Sequence, residues 1–323
     1  MTEIRVGVIG VGYLGYFHAQ KYAKMSGVNL VGVADIRKER AEEVAVEFSC
    51  RAYSDYHALL KDVDAVSVAV PTVSHFEVAS VCIEEGVDLL LEKPMTITLS
   101  EADELIAMAE RQGIILQIGH LERYNPAIIA LEQYLTRPMF IESHRLSIYK
   151  ERGVDVDVVL DLMIHDIDIV LSIVPSPLTT IHAVGVPVVT ERTDIANARL
   201  IFANGCTANV TVSRISRENM RRMRIFQPRT YISVDYATKE IGVVRMESQP
   251  GSNGIPETRA VNFSFAEDDA LRSEITAFIG CVRSRETPQV SGREGRRALG
   301  VALDIISQIN EHVERYKNFL NVI

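Results

Sequence analysis

The sequence lacks the features that mark several classes of protein. Its four cysteines, Cys50, Cys82, Cys206 and Cys281, lie far apart and form neither a CxxC pair nor a short metal-binding spacing. They are interpreted as reduced packing thiols, which predicts a cytoplasmic protein. No apolar run approaches the roughly eighteen residues of a membrane span, and no charged leader with an apolar core precedes the first strand. We therefore expect neither export nor a place in the membrane.

Positive charge is also in short supply. Lysine and arginine total 34 against 43 aspartates and glutamates, for a net charge of −9. This balance argues against nucleic acid or an anionic membrane as a partner. A local exception is a basic cluster of Arg214, Arg217, Arg221, Arg222, Arg224 and Arg229. Its role is left open between a solvated or subunit-contact face and an electropositive wall for an anionic substrate.

The chain has what an ordinary globular protein needs. It is 323 residues long, 47% hydrophobic and 24% charged, a composition that is typical of a soluble globular protein. This length exceeds what one hydrophobic core usually serves, so two domains are expected, at residues 1–121 and 122–323.

A glycine-rich turn near the N-terminus carries the strongest functional signal. Residues 4–35 have the pattern of a strand, a glycine turn, a helix and a second strand. Gly10 permits the tight turn, Gly12 lets the backbone approach a pyrophosphate, and Gly15 lets the helix pack closely on the strand. The free N–H groups and positive dipole end of the helix then favour phosphate. Asp35 is placed to bind both hydroxyls of an adenosine ribose and to repel a 2′-phosphate, which predicts NAD over NADP.

Strands and helices keep alternating over the first 120 residues. The predicted segments are helix 37–48, strand 64–70, helix 76–85, strand 87–91, helix 99–112 and strand 114–118. Alternation of this kind predicts right-handed parallel crossovers and a doubly wound sheet of the Rossmann type. Ligands bind at the carboxyl ends of such strands. Three of those ends carry Pro71-Thr72 with His75, Glu92-Lys93-Pro94, and Gly119-His120.

The pattern changes beyond residue 122. We expect helix 126–135, strand 139–149 and one dominant helix at 157–174, followed by strands at 181–189, 194–202, 207–213, 222–226, 230–235 and 241–246. Helices 268–281 and 292–316 close the chain, and they can pack back on the first domain. The overall prediction is an α/β protein whose C-terminal α+β domain is built on a large, mostly antiparallel sheet. One face of that sheet would meet helices, and the other would be free to pair with a second subunit.

The predicted helix 157–174 carries three ionisable residues on one side. At about 100° per residue, Asp161, His165 and Asp168 fall within about 60° of one another on an otherwise apolar helix. A histidine preceded by a carboxylate four residues earlier is suited to proton transfer, because the acid can fix the tautomer and stabilise the imidazolium. Two other interpretations stay open. One is a buried structural histidine with capping acids, and the other is a metal site that would need a further ligand.

Lys93 is the second candidate for chemistry. It ends an apolar strand, follows Glu92 and precedes Pro94, which restricts the backbone around it. A lysine at the ligand-binding edge of a dinucleotide sheet can hydrogen-bond a reacting hydroxyl and accept its proton. The other interpretation is a solvated lysine at a strand end.

Taken together, these residues resemble the Gfo/Idh/MocA family of sugar and polyol oxidoreductases. The resemblance extends from Gly10-Val11-Gly12-Tyr13-Leu14-Gly15 through Val70-Pro71-Thr72 with His75, Glu92-Lys93-Pro94 and Arg123-Tyr124-Asn125-Pro126 to DLMIHDID at 161–168. It implies a nicotinamide cofactor on the first domain and a substrate resting against the sheet of the second. It also implies a homodimer or homotetramer formed through that sheet.

The resemblance also implies roles for particular residues. Lys93, His165 and Asp161 would be catalytic, and Lys93, Arg123, Tyr124, Asp161 and His165 would bind substrate. No metal is expected. The expected cofactor contacts are Gly10, Gly12, Tyr13, Leu14, Gly15, Asp35, Arg37, Pro71, Thr72, His75, Glu92 and Lys93.

Within the family, the run LDLMIHDIDIVL looks most similar to sugar-nucleotide 3-dehydrogenases of bacterial lipid A precursor synthesis. This implies oxidation of C3 of UDP-N-acetylglucosamine or a related nucleotide sugar, with hydride passing to NAD. Other possibilities are a dehydrogenase for an inositol, another polyol or a free aldose, and a glycosidase that oxidises C3 transiently. A module that binds NAD without turning substrate over is a third.

Overall fold

A computed structural model describes residues 3–149, 157–250 and 256–320. Some of the predicted second domain, residues 150–156, 251–255 and 321–323, lies outside the described residues. The chain divides into two compact units. Unit 1 comprises Met1–Leu121 and Asp269–Leu299, and unit 2 comprises Glu122–Asp268 and Gly300–Ile323. The first division falls after Leu121, while residues 269–299 group with the N-terminal unit.

Unit 1 is a parallel six-stranded sheet with helical crossovers. In chain order its elements are β1 (Ile4–Ile9), α1 (Tyr13–Ala23), β2 (Val28–Ala34), α2 (Lys38–Phe48), β3 (Arg51–Tyr53), α3 (Tyr56–Leu60), β4 (Ala65–Val68), α4 (His75–Glu84), β5 (Asp88–Glu92), α5 (Leu99–Gln112) and β6 (Leu116–Gly119). The strands lie in the order β3-β2-β1-β4-β5-β6, and every pairing is parallel. This confirms the doubly wound sheet.

Local sequence signals fix the ends of helix α5. The Thr98 side chain accepts the Glu101 N–H, while the Glu101 carboxylate accepts the Thr98 N–H. This reciprocal cap satisfies two of the N–H groups that a helix start leaves free. Gly113 ends the helix at φ 67°, a left-handed conformation that glycine adopts without steric cost. The helix therefore delivers the chain into β6 at a defined point.

The core of unit 1 includes a helix from the far end of the chain. The last two helices of the described chain are α8 (Ala270–Ser284) and α9 (Gly292–Leu320). Ile275, Phe278 and Ile279 on α8 are buried in the same cluster as Val8 on β1 and Tyr22 on α1. Burial of each large apolar side chain contributes on the order of 1.5–3 kcal/mol. Helix α8 is therefore part of the hydrophobic core around the parallel sheet of unit 1.

Unit 2 is built on an eight-stranded sheet. Before the sheet continues, the chain forms α6 (Pro126–Leu131), β7 (Phe140–Ile148), a π-helical segment (Val159–Met163) and α7 (Ile164–Ile173). The remaining strands are β8 (Leu178–Val186), β9 (Ile195–Phe202), β10 (Thr207–Ser216), β11 (Met220–Gln227), β12 (Thr230–Asp235), β13 (Glu240–Pro250) and β14 (Pro256–Ser264). Their order is β14-β13-β12-β11-β7-β10-β9-β8, and only β7 and β10 run parallel. The prediction of a large, mostly antiparallel sheet is confirmed.

The two faces of this sheet differ. On β11, Met223 and Ile225 are fully buried, while Arg222 and Phe226 on the opposite face are exposed. Period-two alternation of this kind belongs to a sheet that is packed on one side only. Within the described residues, no helix has the length and apolar character needed to cross a bilayer.

Three short elements escaped the sequence prediction, and one helix differs from it. Strand β3, helix α3 and edge strand β14 were not predicted, because short or exposed segments carry little periodicity. The predicted helix 157–174 is instead a π-helical segment followed by α7. Ile164 N–H bonds to the Val159 carbonyl, five residues earlier. This wider turn means that the even 100° spacing assumed for Asp161 and His165 does not hold.

Candidate active site

The glycine turn between β1 and α1 has the geometry that its sequence predicts. Gly10 has a φ of 82°, and a side chain there would lie 2.8 Å from the carbonyl oxygen of Ala69. A methyl group on Gly15 would overlap the carbonyl oxygen of Gly10. A methyl group on Gly12, in contrast, would meet nothing within 4 Å. Gly10 and Gly15 therefore serve the turn itself, while Gly12 leaves open space next to the backbone at the helix start.

Asp35 follows β2 at the rim of the same turn. Its carboxylate accepts the Val11 N–H at 3.0 Å and the Arg37 N–H at 2.9 Å. The side chain is 7% exposed, so these bonds hold it in one orientation. The Arg37 Nε–H also donates to Oδ1 at 3.4 Å, so three of the roughly four acceptor positions of this carboxylate are used inside the protein. The Asp35 carboxylate is therefore pre-organised beside the glycine turn.

A cavity of about 680 Å³ lies in unit 1 at these carboxyl ends. This is the size of a small-molecule site. Seven of the predicted cofactor residues line it, namely Gly10, Gly12, Tyr13, Leu14, Asp35, Arg37 and Pro71. The sequence prediction missed other lining residues, among them Ile36, Ser54, Tyr56, Ser74 and Glu77. Ile36 is 97% exposed, and an isoleucine so exposed on a cavity rim is suited to contact a flat apolar group.

The remaining cofactor predictions, Gly15, Thr72, His75, Glu92 and Lys93, do not line this cavity. His75 is buried, and its Nδ1 and Nε2 lie 2.8 Å and 2.9 Å from the carbonyl oxygens of Pro94 and Val70. Burial lowers the pKa of His75, against the opposing effect of those two carbonyls. His75 thus ties the loop after β4 to the segment after β5. Its direct contact with cofactor stays a prediction.

Lys93 directly follows β5 and is half-buried. Its backbone N–H donates to the Glu92 carboxylate at 3.3 Å, and the Lys93-Pro94 peptide is cis. The backbone of Lys93 is therefore held from the Glu92 side by a carboxylate and, through Pro94, from the other side by His75. The catalytic role of the Lys93 side chain stays a prediction.

Three of the predicted residues of unit 2, Asp161, His165 and Asp168, lie on the π-helical segment and α7. Asp161 and His165 are both half-buried, whereas Asp168 is buried and lies 3.4 Å from the guanidinium of Arg123. Tyr124, next to Arg123, is buried as well. Arg123 and Asp168 form a nearly solvent-free ion pair that fixes the loop before α6. π-Helical turns occur frequently at functional sites, which agrees with a role for Asp161.

A buried ion network that the sequence did not reveal supports this loop. Arg145 on β7 donates to Asp166 at 2.6 Å and to Glu122 at 3.0 Å, and Ser143 donates to Asp166 at 2.7 Å. Burial acts to lower the pKa of Arg145, but the carboxylates of Asp166 and Glu122 outweigh it and raise that pKa. The Arg145 guanidinium also lies 5.5 Å from the ring of Tyr236. No local pattern signals these contacts, because they join residues more than twenty positions apart.

The basic cluster does not form a single wall. Arg214 is buried, while Arg222 and Arg224 lie on the open face of the sheet, paired with Asp235 at 3.1 Å and Glu142 at 3.7 Å. Arg229 donates to the Glu247 carbonyl at 2.7 Å. The arginines are thus divided between interior, strand-face and turn positions, and several are already neutralised. This division favours the interpretation as a solvated or subunit-contact face.

Comparison with known proteins fits this geometry. Residues 4–120 match a family model described as an oxidoreductase family with an NAD-binding Rossmann fold, and residues 135–232 match the GFO/IDH/MocA C-terminal domain. The chain is 42% identical to UDP-N-acetylglucosamine 3-dehydrogenase from Acidithiobacillus ferrooxidans, over 98% of this chain and 100% of that protein. The chain belongs to the GFO/IDH/MocA oxidoreductase family. It is therefore a dehydrogenase-type enzyme whose cofactor is NAD.

Two further similarities mark the range of the family. A solved structure of the Acidithiobacillus ferrooxidans enzyme superposes with a TM-score of 0.90 at 42% identity, covering 96% of this chain and 98% of that one. Myo-inositol 2-dehydrogenase from Thermotoga maritima is 28% identical over 92% of this chain and 93% of its own length. Relatives that act on different substrates thus share this chain's length and domain order.

Proposed function

We propose that this protein oxidises the C3 hydroxyl of UDP-N-acetylglucosamine, or of a closely related nucleotide sugar, to a ketone with NAD. The observation that carries the proposal is the 42% identity to an enzyme of that name over nearly the whole of both chains. The pre-organised Asp35 and the open cradle at Gly12 support NAD in unit 1. A cytoplasmic location and a place in lipid A precursor synthesis belong to the same proposal.

The mechanism that we propose assigns one proton transfer to this chain. The Lys93 amine accepts the proton of the C3 hydroxyl, so that the O–H electrons can form the C=O bond. His165 hydrogen-bonds the same oxygen, and Asp161 orients the imidazole. Gly12 and Asp35 are the residues that would hold NAD, which would supply the acceptor for the hydride from C3. The products are a 3-keto nucleotide sugar, NADH and one proton, which Lys93 carries.

Arg123 and Tyr124 are proposed to shape the substrate site rather than to react. The ion pair of Arg123 with Asp168 and the burial of Tyr124 support a rigid loop at this position. Rigidity matters because a sugar held within reach of the base no longer pays the entropy of encounter during the reaction. Much of the rate acceleration would come from this positioning.

The test is an assay that follows the absorbance of NADH. The protein is incubated with NAD and with UDP-N-acetylglucosamine, N-acetylglucosamine or myo-inositol in turn. Net NADH with the nucleotide sugar alone supports the proposal. Greater turnover of myo-inositol would support the second candidate function, which the 28% identity to an inositol dehydrogenase favours. Release of free sugar without net NADH would identify a glycosidase. Tight NAD binding with no turnover would identify a sensor.

The role of Lys93 has its own test. Lys93→Ala should lower kcat by about a thousandfold, within the range for loss of a general base. Lys24→Ala is the matched control, because Lys24 is an exposed lysine just after helix α1. Both variants should bind NAD. Full turnover of Lys93→Ala at saturating substrate would remove Lys93 from the mechanism.

We also propose that the open face of the unit 2 sheet forms a subunit interface. Phe226 on this face is 36% exposed and lies 5.7 Å from the ring of Phe140 and 5.2 Å from that of Tyr231. Aromatic residues among polar ones are typical of protein interfaces. Light scattering of the wild type and of Phe226→Asp tests this proposal. A dimer or tetramer that dissociates in the variant is expected, and a monomeric wild type would contradict it.

A further inference from the structure

A buried polar chain lies directly under Lys93 in unit 1, and the mechanism above does not use it. It joins Tyr22 and His18 on α1, Ser67 on β4 and Glu92 at the end of β5. The Tyr22 hydroxyl lies 2.8 Å from Ser67 Oγ, and Ser67 Oγ lies 3.0 Å from His18 Nδ1. His18 Nε2 lies 3.1 Å from Glu92 Oε1. All four residues are buried.

Donor counting fixes one end of this chain. Ser67 Oγ is the hydrogen-bond partner of the buried Tyr22 hydroxyl, so Tyr22 must donate to it or leave a buried O–H unpaired, at a cost of about 1–3 kcal/mol. Because Ser67 Oγ has two lone pairs, it can accept from Tyr22 whether it donates to His18 Nδ1 or accepts from it. At the other end, an ionised Glu92 can only accept, so His18 Nε2 must carry the proton that it donates to Glu92.

Glu92 is the acceptor at the end of this chain. Burial acts to raise the pKa of Glu92, but the hydrogen bond and the electrostatic interaction with His18, together with the interactions with Lys93, outweigh it and lower that pKa. The other carboxylate oxygen accepts the Lys93 backbone N–H at 3.3 Å. On β6, Gly119 leaves the room that this carboxyl needs, since a methyl group there would lie 3.1 Å from Glu92 Cδ. Glu92 is thus a buried carboxylate with one bond to His18 and one to the residue proposed as the base.

Glu274 on helix α8 completes the group. It is fully buried, and neither of its carboxylate oxygens has a hydrogen-bond partner among the described residues. Burial, with the Glu92 charge as a second cause, raises the pKa of Glu274 well above its usual range. Single atoms of His18, Glu92 and Glu274 lie within 4.8 Å of one another. Both ring nitrogens of His18 are already hydrogen-bonded inside the protein, to Ser67 and Glu92, so neither is available to a metal ion.

We propose that Tyr22, Ser67 and His18 form a hydrogen-bond chain that ends on an ionised Glu92, with Glu274 held protonated beside it, and that Glu92 is a positioning residue for Lys93. The proposal rests on the proposed function, in which Lys93 becomes an ammonium as it accepts the hydroxyl proton. A fixed carboxylate one residue away stabilises that developing positive charge without having to reorganise. The chain fixes both the charge of Glu92 and the position of the Lys93 backbone.

The groups that face Glu92 define what a pH experiment can report. They are His18 from α1, Lys93 from its own strand end, Glu274 from α8 and His75 from α4, whose pKa the Glu92 charge acts to raise. Glu274 is uncharged in this arrangement. Lys93 follows Glu92 directly and its N–H donates to the Glu92 carboxylate, so it is the group whose protonation the Glu92 charge is proposed to favour. Loss of that charge should appear in the pH dependence of the reaction.

The first measurement needs no turnover and uses the wild-type protein. Nitrogen-15 NMR of histidine-labelled protein should show a proton on Nε2 of His18, the donor that an ionised Glu92 requires. Infrared spectra should show a protonated carboxyl band at neutral pH that Glu274→Gln abolishes. A His18 that carries its proton on Nδ1 alone would overturn the proposal, and so would a band that survives in Glu274→Gln.

The second measurement links the chain to catalysis. Glu92→Gln keeps the shape and removes the charge, so the acid limb of the kcat/KM–pH profile should move down by about one pH unit, and kcat should fall by about tenfold. Glu84→Gln, which removes an exposed carboxylate on α4, is the control and should move neither. An unmoved acid limb in Glu92→Gln would overturn the link to Lys93. If the wild type turns over no sugar at all, the proposed function fails, while the NMR and infrared results still decide the chain.

Discussion

Two glycines three residues apart should separate cofactor binding from folding. Gly12→Ala adds a methyl group that meets no protein atom within 4 Å, so the free energy of unfolding should change by no more than about 0.5 kcal/mol. The methyl group does occupy the open space beside the helix start, where the pyrophosphate of NAD is expected to approach the backbone. Gly15→Ala instead places its methyl group onto the Gly10 carbonyl oxygen, so the turn itself must move.

The magnitudes follow from binding linkage. NAD at a hundredfold excess over its Kd stabilises the wild type by about 2.7 kcal/mol, and a hundredfold weaker Kd in Gly12→Ala leaves about 0.4 kcal/mol. For a unit of this size, 1 kcal/mol shifts Tm by about 2–4 °C. NAD at a hundredfold excess over the wild-type Kd should therefore raise the Tm of the wild type by about 5–10 °C and that of Gly12→Ala by about 1 °C. Gly15→Ala should lose about 4 kcal/mol or more even without NAD.

Thermal melts with and without NAD, together with isothermal titration calorimetry, measure both effects. Gly280→Ala is the matched control, because Gly280 lies on the exposed side of α8 and a methyl group there meets nothing within 4 Å. It should leave NAD binding unchanged and stabilise the protein by about 0.5–1 kcal/mol. If Gly12→Ala binds NAD as tightly as the wild type, Gly12 does not lie beside the pyrophosphate.

Three further predictions concern single carboxylates and one buried arginine. Asp35→Ala should weaken NAD about tenfold and NADP less, since the carboxylate binds ribose hydroxyls and repels a phosphate; calorimetry showing an equal loss for both would exclude Asp35 from the ribose site. Burial acts to raise the pKa of Asp194, but three backbone N–H donors outweigh it and lower that pKa. The stabilising contribution of Asp194 should thus be full above about pH 4 and be lost as the pH falls through the lowered pKa. The urea midpoint of Asp194→Asn should therefore depend less on pH, from about 5 to 3, than the midpoint of the wild type. Arg145→Met should lower the free energy of unfolding by about 3–5 kcal/mol, because Asp166 and Glu122 stay buried without their cation. In chemical denaturation, the double variant Arg145→Met/Asp166→Leu should recover part of this loss. Additive losses in the double variant would contradict the pairing.

Much of unit 1 could be predicted because its signals are local. The strand, turn and helix at residues 4–35 each follow from residues next to one another, and α5 carries its own caps at Thr98 and Gly113. The π-helical turn before α7 could not be predicted, because the apolar pattern of 157–174 is equally compatible with a regular helix. Strand β14 was missed because an exposed edge strand has no buried face to impose an alternating pattern.

The sequence alone determined the class of fold, the cofactor and the residues with chemical capacity, because glycine spacing and hydrophobic periodicity act over a few neighbouring positions. Tertiary structure alone decided what surrounds those residues. His18, Ser67, Glu92 and Glu274 come from two helices and two strands, and His18 and Glu92 are 74 positions apart. Nothing in a short stretch of sequence distinguishes a solvated glutamate from one that is buried without a partner, since desolvation and pairing arise only when distant segments pack together.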